Sequence, residues 1–470
     1  MKRMKLWIDN IGIIKESEIE INGLTVITGY NNSGKTTVGK VIYSLISAVE
    51  NLQKDALTDK VNYARERLQD MAAELQWLFF SQYRNGGEDT DVKDEIFTIR
   101  NITSDFPNVT GLEDLKNILQ VISVHLGNAR ELLLSKTKLK IEKIEILNQI
   151  GNYLEVVDNI SKLVSQDEEL IEYANAKIDN TIKQEFNHQL LPVGFENTIG
   201  KISLKEESGV GFDVLIENNE VIRRRETYTP IFGKEVLLID NVFILDELAE
   251  PSKAHKNNGI TVLKSQKVTK KEFISRIPGK GHNSKLINEL LHKDENIFEE
   301  IINRKAAKTV FDKLNMVFDD EITITNGEVI CAKSKIDIRN LAMGAKMFAM
   351  LKTLLENGSI KENTVLILDE PEVHLHPEWQ NILAELLVLL QNQMGVTILL
   401  TTHSSQFLMA IETFAKKYRL DGKFKVYATV KNIQDKFVTY QNVTDSLKDA
   451  YYRLAKPMFE MKSVKDEMES

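Results

Sequence analysis

The 470-residue chain carries a formal net charge of -9, is 42% hydrophobic and holds a single cysteine, Cys331. Enough apolar residues to build cores exclude a disordered or fibrous chain, and at about 150 residues per domain the length suits two or three domains. The acidic balance excludes a surface coated throughout in nucleic-acid-binding charge, and one cysteine excludes an intramolecular disulfide or a cysteine-based zinc site. Cys331 reads as a small buried hydrophobe in a reducing compartment. The opening MKRMKLWIDNIG has no apolar run suited to a signal peptide, and no stretch approaches the roughly 20 apolar residues of a membrane span. The expectation is a soluble, cytoplasmic protein without membrane contact.

In chain order, the first strong signal is a β-rich run, Leu24-Thr25-Val26-Ile27-Thr28, followed by GYNNSGKTT at 29–37 and a segment with Val38, Val41, Ile42 and Leu45 at helical spacing. The stretch fits G-x-x-x-x-G-K-[ST] at Gly29, Gly34, Lys35 and Thr36, and strand, glycine loop and helix come in the order a phosphate loop demands. Glycines let backbone N–H groups approach phosphates, and the helix N-terminus favours the anion. Gly29, Asn31, Asn32, Ser33, Gly34, Lys35, Thr36 and Thr37 are therefore the expected nucleotide-binding residues. Lys35 is the charge on the β- and γ-phosphates, and Thr36 a magnesium ligand. The competing reading is an ordinary Gly/Asn/Ser turn.

Residues 50 to 190 have few glycines or prolines and read as mainly helical. Ile150, Val157, Val164, Ile171 and Ile178 recur every seven residues, but the companion seam runs Leu147, Leu154, Ser161, Glu168, Asn175. That pattern favours a helical bundle over a protruding coiled-coil hairpin. Residues 195 to 245 turn β-rich. Val236-Leu237-Leu238-Ile239-Asp240-Asn241 has the shape of a buried strand ending in an acid, which keeps Asp240 and Asn241 as neighbours of the site. Between 251 and 285, nine Lys/Arg (253, 256, 264, 267, 270, 271, 276, 280, 285) face one acid, Glu272. A basic loop is usually just solvated, but such a patch on an acidic protein is also the place to look for a nucleic-acid phosphate track, with DNA contact the partner reading. His282-Asn283 with His292 is a faint nuclease signal that lacks bracing cysteines.

Val365-Leu366-Ile367-Leu368 then reads as a strand buried on both faces, ending in Asp369 and Glu370. Asp369 suits the magnesium shell, and Glu370 suits a general base on the attacking water. His374 and His376, two apart with no third ligand nearby, make a weak zinc signal. Another apolar run, 396–400, leads into Thr401-Thr402-His403-Ser404. His403, 33 residues beyond Glu370, falls at the end of the next strand, on the same sheet edge, and is expected to sense the γ-phosphate.

GYNNSGKTT, LILDEPEVHLHP and LLTTHSSQF together resemble the head domain of ABC-type ATPases related to structural-maintenance-of-chromosomes proteins, RecF and the overcoming-lysogenization-defect family. The matching segments are roughly residues 1–48 and 336–430. The resemblance implies an α/β fold, an ABC-type P-loop ATPase head with a RecA-like core and a β-rich lobe, interrupted by a helical insertion. The corresponding parts are 1–48 (first part of the head), 49–192 (insertion), 193–250 (β-rich continuation), 251–335 (basic linker and helical segment) and 336–470 (second lobe and tail helix). It also implies a head-to-head homodimer, or a higher even oligomer, sandwiching ATP and Mg2+ between one subunit's phosphate loop and the other's signature helix. The signature candidate is Arg339–Met347, with Gly344 and Lys346 nearest the partner's phosphate; Ala342 and Met343 stand where the family has serines, so slow turnover is expected.

From Gly34 to Gly344 is 310 residues, too long for a transporter subunit, and only 67 follow His403, too few for a fused nuclease. A stand-alone ATPase of this kind is similar to the ATPase subunits of prokaryotic antiphage systems such as Septu, with Gabija and PARIS sharing the head, and implies a separate nuclease partner. A RecF-like DNA clamp, and a nucleotide-gated binding module with little hydrolysis, are the alternatives.

Overall fold

The computed structural model describes residues 3–82, 90–104, 111–135, 141–165, 170–192, 198–222, 234–248, 268–291, 308–318, 322–325, 328–331, 334–432, 437–456 and 461. The chain divides into two compact units: Met1–Glu50, Lys177–Lys256 and Gly279–Ser470 form the first, and Asn51–Ala176 with Asn257–Pro278 the second. The second unit draws its residues from within the segments 49–192 and 251–335.

The strands of the first unit are β1 (Met4–Asp9), β2 (Ser17–Ile21), β3 (Leu24–Thr28), β4 (Gly200–Glu206), β5 (Gly211–Glu217), β6 (Glu220–Ile222), β7 (Val236–Ile239), β8 (Ile322–Thr325), β9 (Glu328–Cys331), β10 (Ser334–Asp337), β11 (Val365–Asp369), β12 (Thr397–Thr402), β13 (Phe424–Lys431) and β14 (Val438–Asn442). They form a six-stranded sheet in the order β14-β13-β3-β12-β11-β7, a five-stranded sheet β2-β1-β4-β5-β6 and a three-stranded sheet β10-β9-β8. In the six-stranded sheet all neighbours are parallel except the β13–β14 pair.

Sequence explains the difference between the two larger sheets. β3, β7 and β12 are buried at every position and β11 at all but its last, as parallel strands covered on both faces must be. Alternate side chains divide between those faces. Leu366 and Leu368 join the apolar cluster with Phe348, Leu351, Leu386 and Leu390 of the helices Met343–Glu356 and Pro377–Met394. Ile367, facing the other way, meets the helix α1 (Lys35–Ser47) at Gly39. β1 instead alternates buried and wetter positions, the pattern of an antiparallel sheet with one face toward water.

The second unit is helical: α2 (Leu52–Gln82), α3 (Thr90–Ser104), α4 (Leu112–Leu134) and α5 (Ile141–Ser165), with α2 and α4 each packed on both α3 and α5. Ile150, Val157 and Val164 are buried in it. The heptad stripe does not continue as one helix, because α5 ends at Ser165 and Ile171, near the start of α6 (Leu170–Glu185), is exposed. The arrangement is a four-helix bundle. No helix among the described residues is long and apolar enough to cross a membrane.

The helix Pro377–Met394 is tied down by one carboxylate. Glu385 accepts from Lys417 (2.8 Å) and Tyr418 (2.6 Å) and pairs with Lys313 (2.7 Å). Burial alone would raise its pKa from 4.5; the bonds from Lys313, Lys417 and Tyr418 overcome that and hold it at about 2. A folded-state pKa below the unfolded one adds stability above pH 4.5 that is lost as pH falls toward 2. Glu385→Gln is expected to lower stability at pH 7 by roughly 1–3 kcal/mol and to flatten the loss between pH 4.5 and 2, as read by urea denaturation across that range.

Candidate nucleotide site

The parallel register places the chemistry. Thr402 of β12 lies opposite Thr28 of β3, and Asp369 of β11 lies opposite Thr401. The loops leaving β3, β12 and β11 therefore emerge side by side at the carboxyl edge of the sheet, where open α/β sheets bind ligands. Gly29 to Gly34 turn from β3 into α1. Gly34 caps the helix with φ 79°, a left-handed conformation that glycine adopts without penalty. Asn32 is also left-handed, and Asn31, Asn32 and Thr36 are exposed while Ser33 is buried. The Tyr440 hydroxyl braces the loop by donating to the Ser33 carbonyl at 3.1 Å.

Lys35 is buried beneath the loop, donating to the carbonyls of Tyr30 (2.9 Å) and Gly29 (3.3 Å) and pairing with Glu370 Oε1 at 3.3 Å. Thr36 Oγ1 donates to Asp369 Oδ2 at 2.6 Å, and Thr401 Oγ1 donates to Asp369 Oδ1. Thr36 and Asp369 offer the hydroxyl and carboxylate oxygens that magnesium prefers, and their present hydrogen bond puts those donors within reach of one ion. Glu370 has φ 49°, a conformation uncommon outside glycine that concentrates at functional sites. Its N–H is held by the Thr401 carbonyl and hydroxyl. Oε2 of Glu370 lies 3.3 Å from Nδ1 of His403. Lys35, Thr36, Asp369, Glu370 and His403, picked from three separate motifs, thus form one contiguous cluster.

Gly344 and Lys346 lie in the first turn of the helix Met343–Glu356. Gly344 is buried: a β-carbon there would come within 2.9 Å of Leu375 and 3.2 Å of Trp379, so glycine lets its helix close onto the segment following Glu370. Lys346 is 2% exposed, donates to Asp246 and stacks at 5.5 Å on Phe243. Its ammonium is engaged within its own chain. The site neighbours are similarly occupied. Asp240 accepts from His282 at 3.1 Å, and the Asn241 side chain accepts from the N–H of Phe243.

His282 itself is no nuclease residue. Its ring bridges Glu185 (2.7 Å) and Asp240, and its N–H donates to Glu185 at 2.8 Å. Burial would lower its pKa, but the two carboxylates raise it to about 9. His376 caps the helix Pro377–Met394 by accepting from Glu378 N–H. Of the basic run, Lys253, Lys256, Lys264 and Lys267 lie outside the described residues. Lys270 pairs with Glu172, Arg276 with Glu272, and both Lys280 and Lys285 with Glu50. The described part is thus largely held in ion pairs within the chain, with Glu50 shared by two lysines and Glu272 by Arg67 and Arg276.

One residue that motif reading passed over stands close to the cluster. Glu372, 3% exposed, accepts from the Thr402 hydroxyl and from His403 N–H. Its signal was a second glutamate two residues after Glu370.

The placement of Lys346 is testable. Lys346→Met is expected to cost about 2 kcal/mol of stability by stranding Asp246 while changing ATP affinity less than about twofold. Calorimetric melting and nucleotide titration check both.

The AAA ATPase domain family profile matches residues 1–408. The "Retron Vc95 probable ATPase" of Vibrio cholerae serotype O1 biovar El Tor is 25% identical over 191 residues, covering 35% of this chain; the chain spans 37% of that relative's length. Among solved structures, the SMC head domain from Thermotoga maritima is similar at TM-score 0.33 and 10% identity, covering 94% of this chain and 99% of that one. The SMC head bound to the C-winged helix domain of ScpA is similar at TM-score 0.33 and 11% identity, covering 93% and 96%. With its phosphate loop, its acidic strand end and most of its length inside the family profile, the chain belongs to the AAA ATPase domain family.

Proposed function

We propose that the protein binds and slowly hydrolyses ATP, dimerises around the nucleotide as ABC-type heads do, and uses its nucleotide state to restrain or release a separate effector, a nuclease, in prokaryotic antiviral defence. The observation that carries the ATPase reading is the meeting of Lys35, Thr36, Asp369, Glu370 and His403 at one sheet edge. The defence reading is supported by the similarity to a retron ATPase and by the resemblance of the motifs to antiphage ATPases.

In this reading the loop N–H groups and α1 hold the phosphates, and Lys35 turns from Glu370 to the β/γ oxygens. Magnesium, held by Thr36 and Asp369 when bound, supplies charge neutralisation to the phosphates. Glu370 orients the attacking water and takes its proton as the water oxygen bonds to the γ-phosphorus. The bond from that phosphorus to the β–γ bridging oxygen breaks, its electron pair leaving with ADP. His403 contacts the γ-phosphate. Ala342 and Met343, in place of the family's serines, remove hydroxyl contacts from the dimer interface and keep turnover slow.

Phosphate release by the purified chain, beside Lys35→Ala and Glu370→Gln, with and without duplex DNA and with mass followed by light scattering, tests this. Turnover is expected to fall about a hundredfold or more in both variants, to ignore DNA, and to accompany an ATP-dependent rise to dimer mass or above. Equal turnover by Glu370→Gln and wild type would remove the general-base role of Glu370 and favour a nucleotide-gated binding module with little hydrolysis. Stimulation by DNA would favour a RecF-like clamp.

A further inference from the structure

His403 stands between two carboxylates. Its Nδ1 is 3.3 Å from Glu370 Oε2 and 4.0 Å from Glu372 Oε1. The two acids live in opposite surroundings. Glu370 is about one-third exposed and already paired with Lys35. Glu372 is buried; its Oε1 accepts from Thr402 and from His403 N–H, while its Oε2 is buried without a hydrogen-bond partner. Burial pushes the Glu372 carboxyl up, and the Thr402 hydroxyl and the charge of His403 pull it back. A buried carboxyl with a spare oxygen is costly unless another state of the site uses it.

The geometry supplies that state. A general base hydrogen-bonded to a histidine is a poorer base, because the lone pairs that should receive the water's proton are engaged. A ring shift of less than the 4.0 Å now separating His403 Nδ1 from Glu372 Oε1 moves the ring's donor onto the deeper acid. Resting on the ATPase reading above, we infer that Glu372 is a positioning residue that accepts the Nδ1–H of His403 in the ATP-bound protein, freeing Glu370 for the water while Nε2–H of the same ring meets the γ-phosphate. Both ring nitrogens then carry protons, one facing carboxylate and one facing phosphate. Thr402 holds Glu372 in place through its hydroxyl, so the strand that carries His403 also carries the anchor of its acceptor.

The test uses the full chain labelled with 15N-histidine and loaded with magnesium and the β,γ-imido analogue of ATP. The His403 resonance is assigned by its absence in His403→Asn. Wild type and Glu370→Gln are expected to show both His403 nitrogens protonated, and Glu372→Gln, which keeps an oxygen for Thr402 and for His403 N–H, to lose protonation at Nδ1. In turnover, Glu372→Gln is expected to lower kcat about tenfold or more with KM changed less than about twofold. Loss of the doubly protonated ring in Glu370→Gln, or its retention in Glu372→Gln together with wild-type kcat, overturns the assignment. The first outcome decides the matter even if Glu372→Gln does not fold. Absence of hydrolysis by wild type would sink the ATPase reading alone, since the ring protonation is read in the analogue complex without turnover.

Discussion

The site depends on the register of β12, the strand lying between the phosphate-loop strand and the acidic strand. Its pairings set Thr402 beside Thr28 and Thr401 beside Asp369, and through them Thr401 grips the Asp369 carboxylate and the Glu370 N–H. Because side chains alternate along a strand, a slip of one residue would exchange Thr401 and Thr402 between faces and take both grips away. The close packing of β12 side chains on both faces of the sheet disfavours the slip. The helices on both faces are thus as much a part of the site as the loop residues, and one of them, α1, also supplies Lys35 from its first position.

Within that frame the cluster satisfies itself. Lys35 has two carbonyls and Glu370, Thr36 has Asp369, and His403 has Glu370. Every partner is a group that nucleotide, magnesium or water replaces in the ATPase reading, so binding exchanges one set of charge-assisted contacts for another and does not create charge in an apolar interior. The left-handed Glu370 backbone keeps its carboxylate aimed at this exchange.

Much of this was legible in the sequence because the relevant residues announce themselves locally. The phosphate loop is a nine-residue pattern, and four apolar residues before Asp369-Glu370 suit a strand buried on both faces. What stayed hidden was pairing across long distances. Nothing local says that Lys346 meets Asp246, that His282 bridges Glu185 and Asp240, or that Glu50 absorbs Lys280 and Lys285; charged residues at those spacings read equally well as solvated or ligand-facing. The strands β8 to β10 were missed within a segment taken as basic and helical, even though Asn326-Gly327 between Ile322–Thr325 and Glu328–Cys331 is a strong hairpin signal. Glu372 escaped because a glutamate beside a proline in a loop has no period to betray burial.

The placement of β3 at the middle of its sheet also sets a schedule for making the protein. Both of its neighbours, β12 and β13, lie beyond residue 396, so the phosphate-loop strand leaves the ribosome long before either partner exists. At about 5–20 residues per second the wait is roughly 20 to 75 seconds. The helices α2 to α5, whose partners are near in sequence, have time to form first, while an apolar strand with both edges bare must be kept from pairing with other nascent chains. The nucleotide site is therefore assembled late, and a chain interrupted before β12 carries the phosphate loop without Thr401, Thr402 or His403.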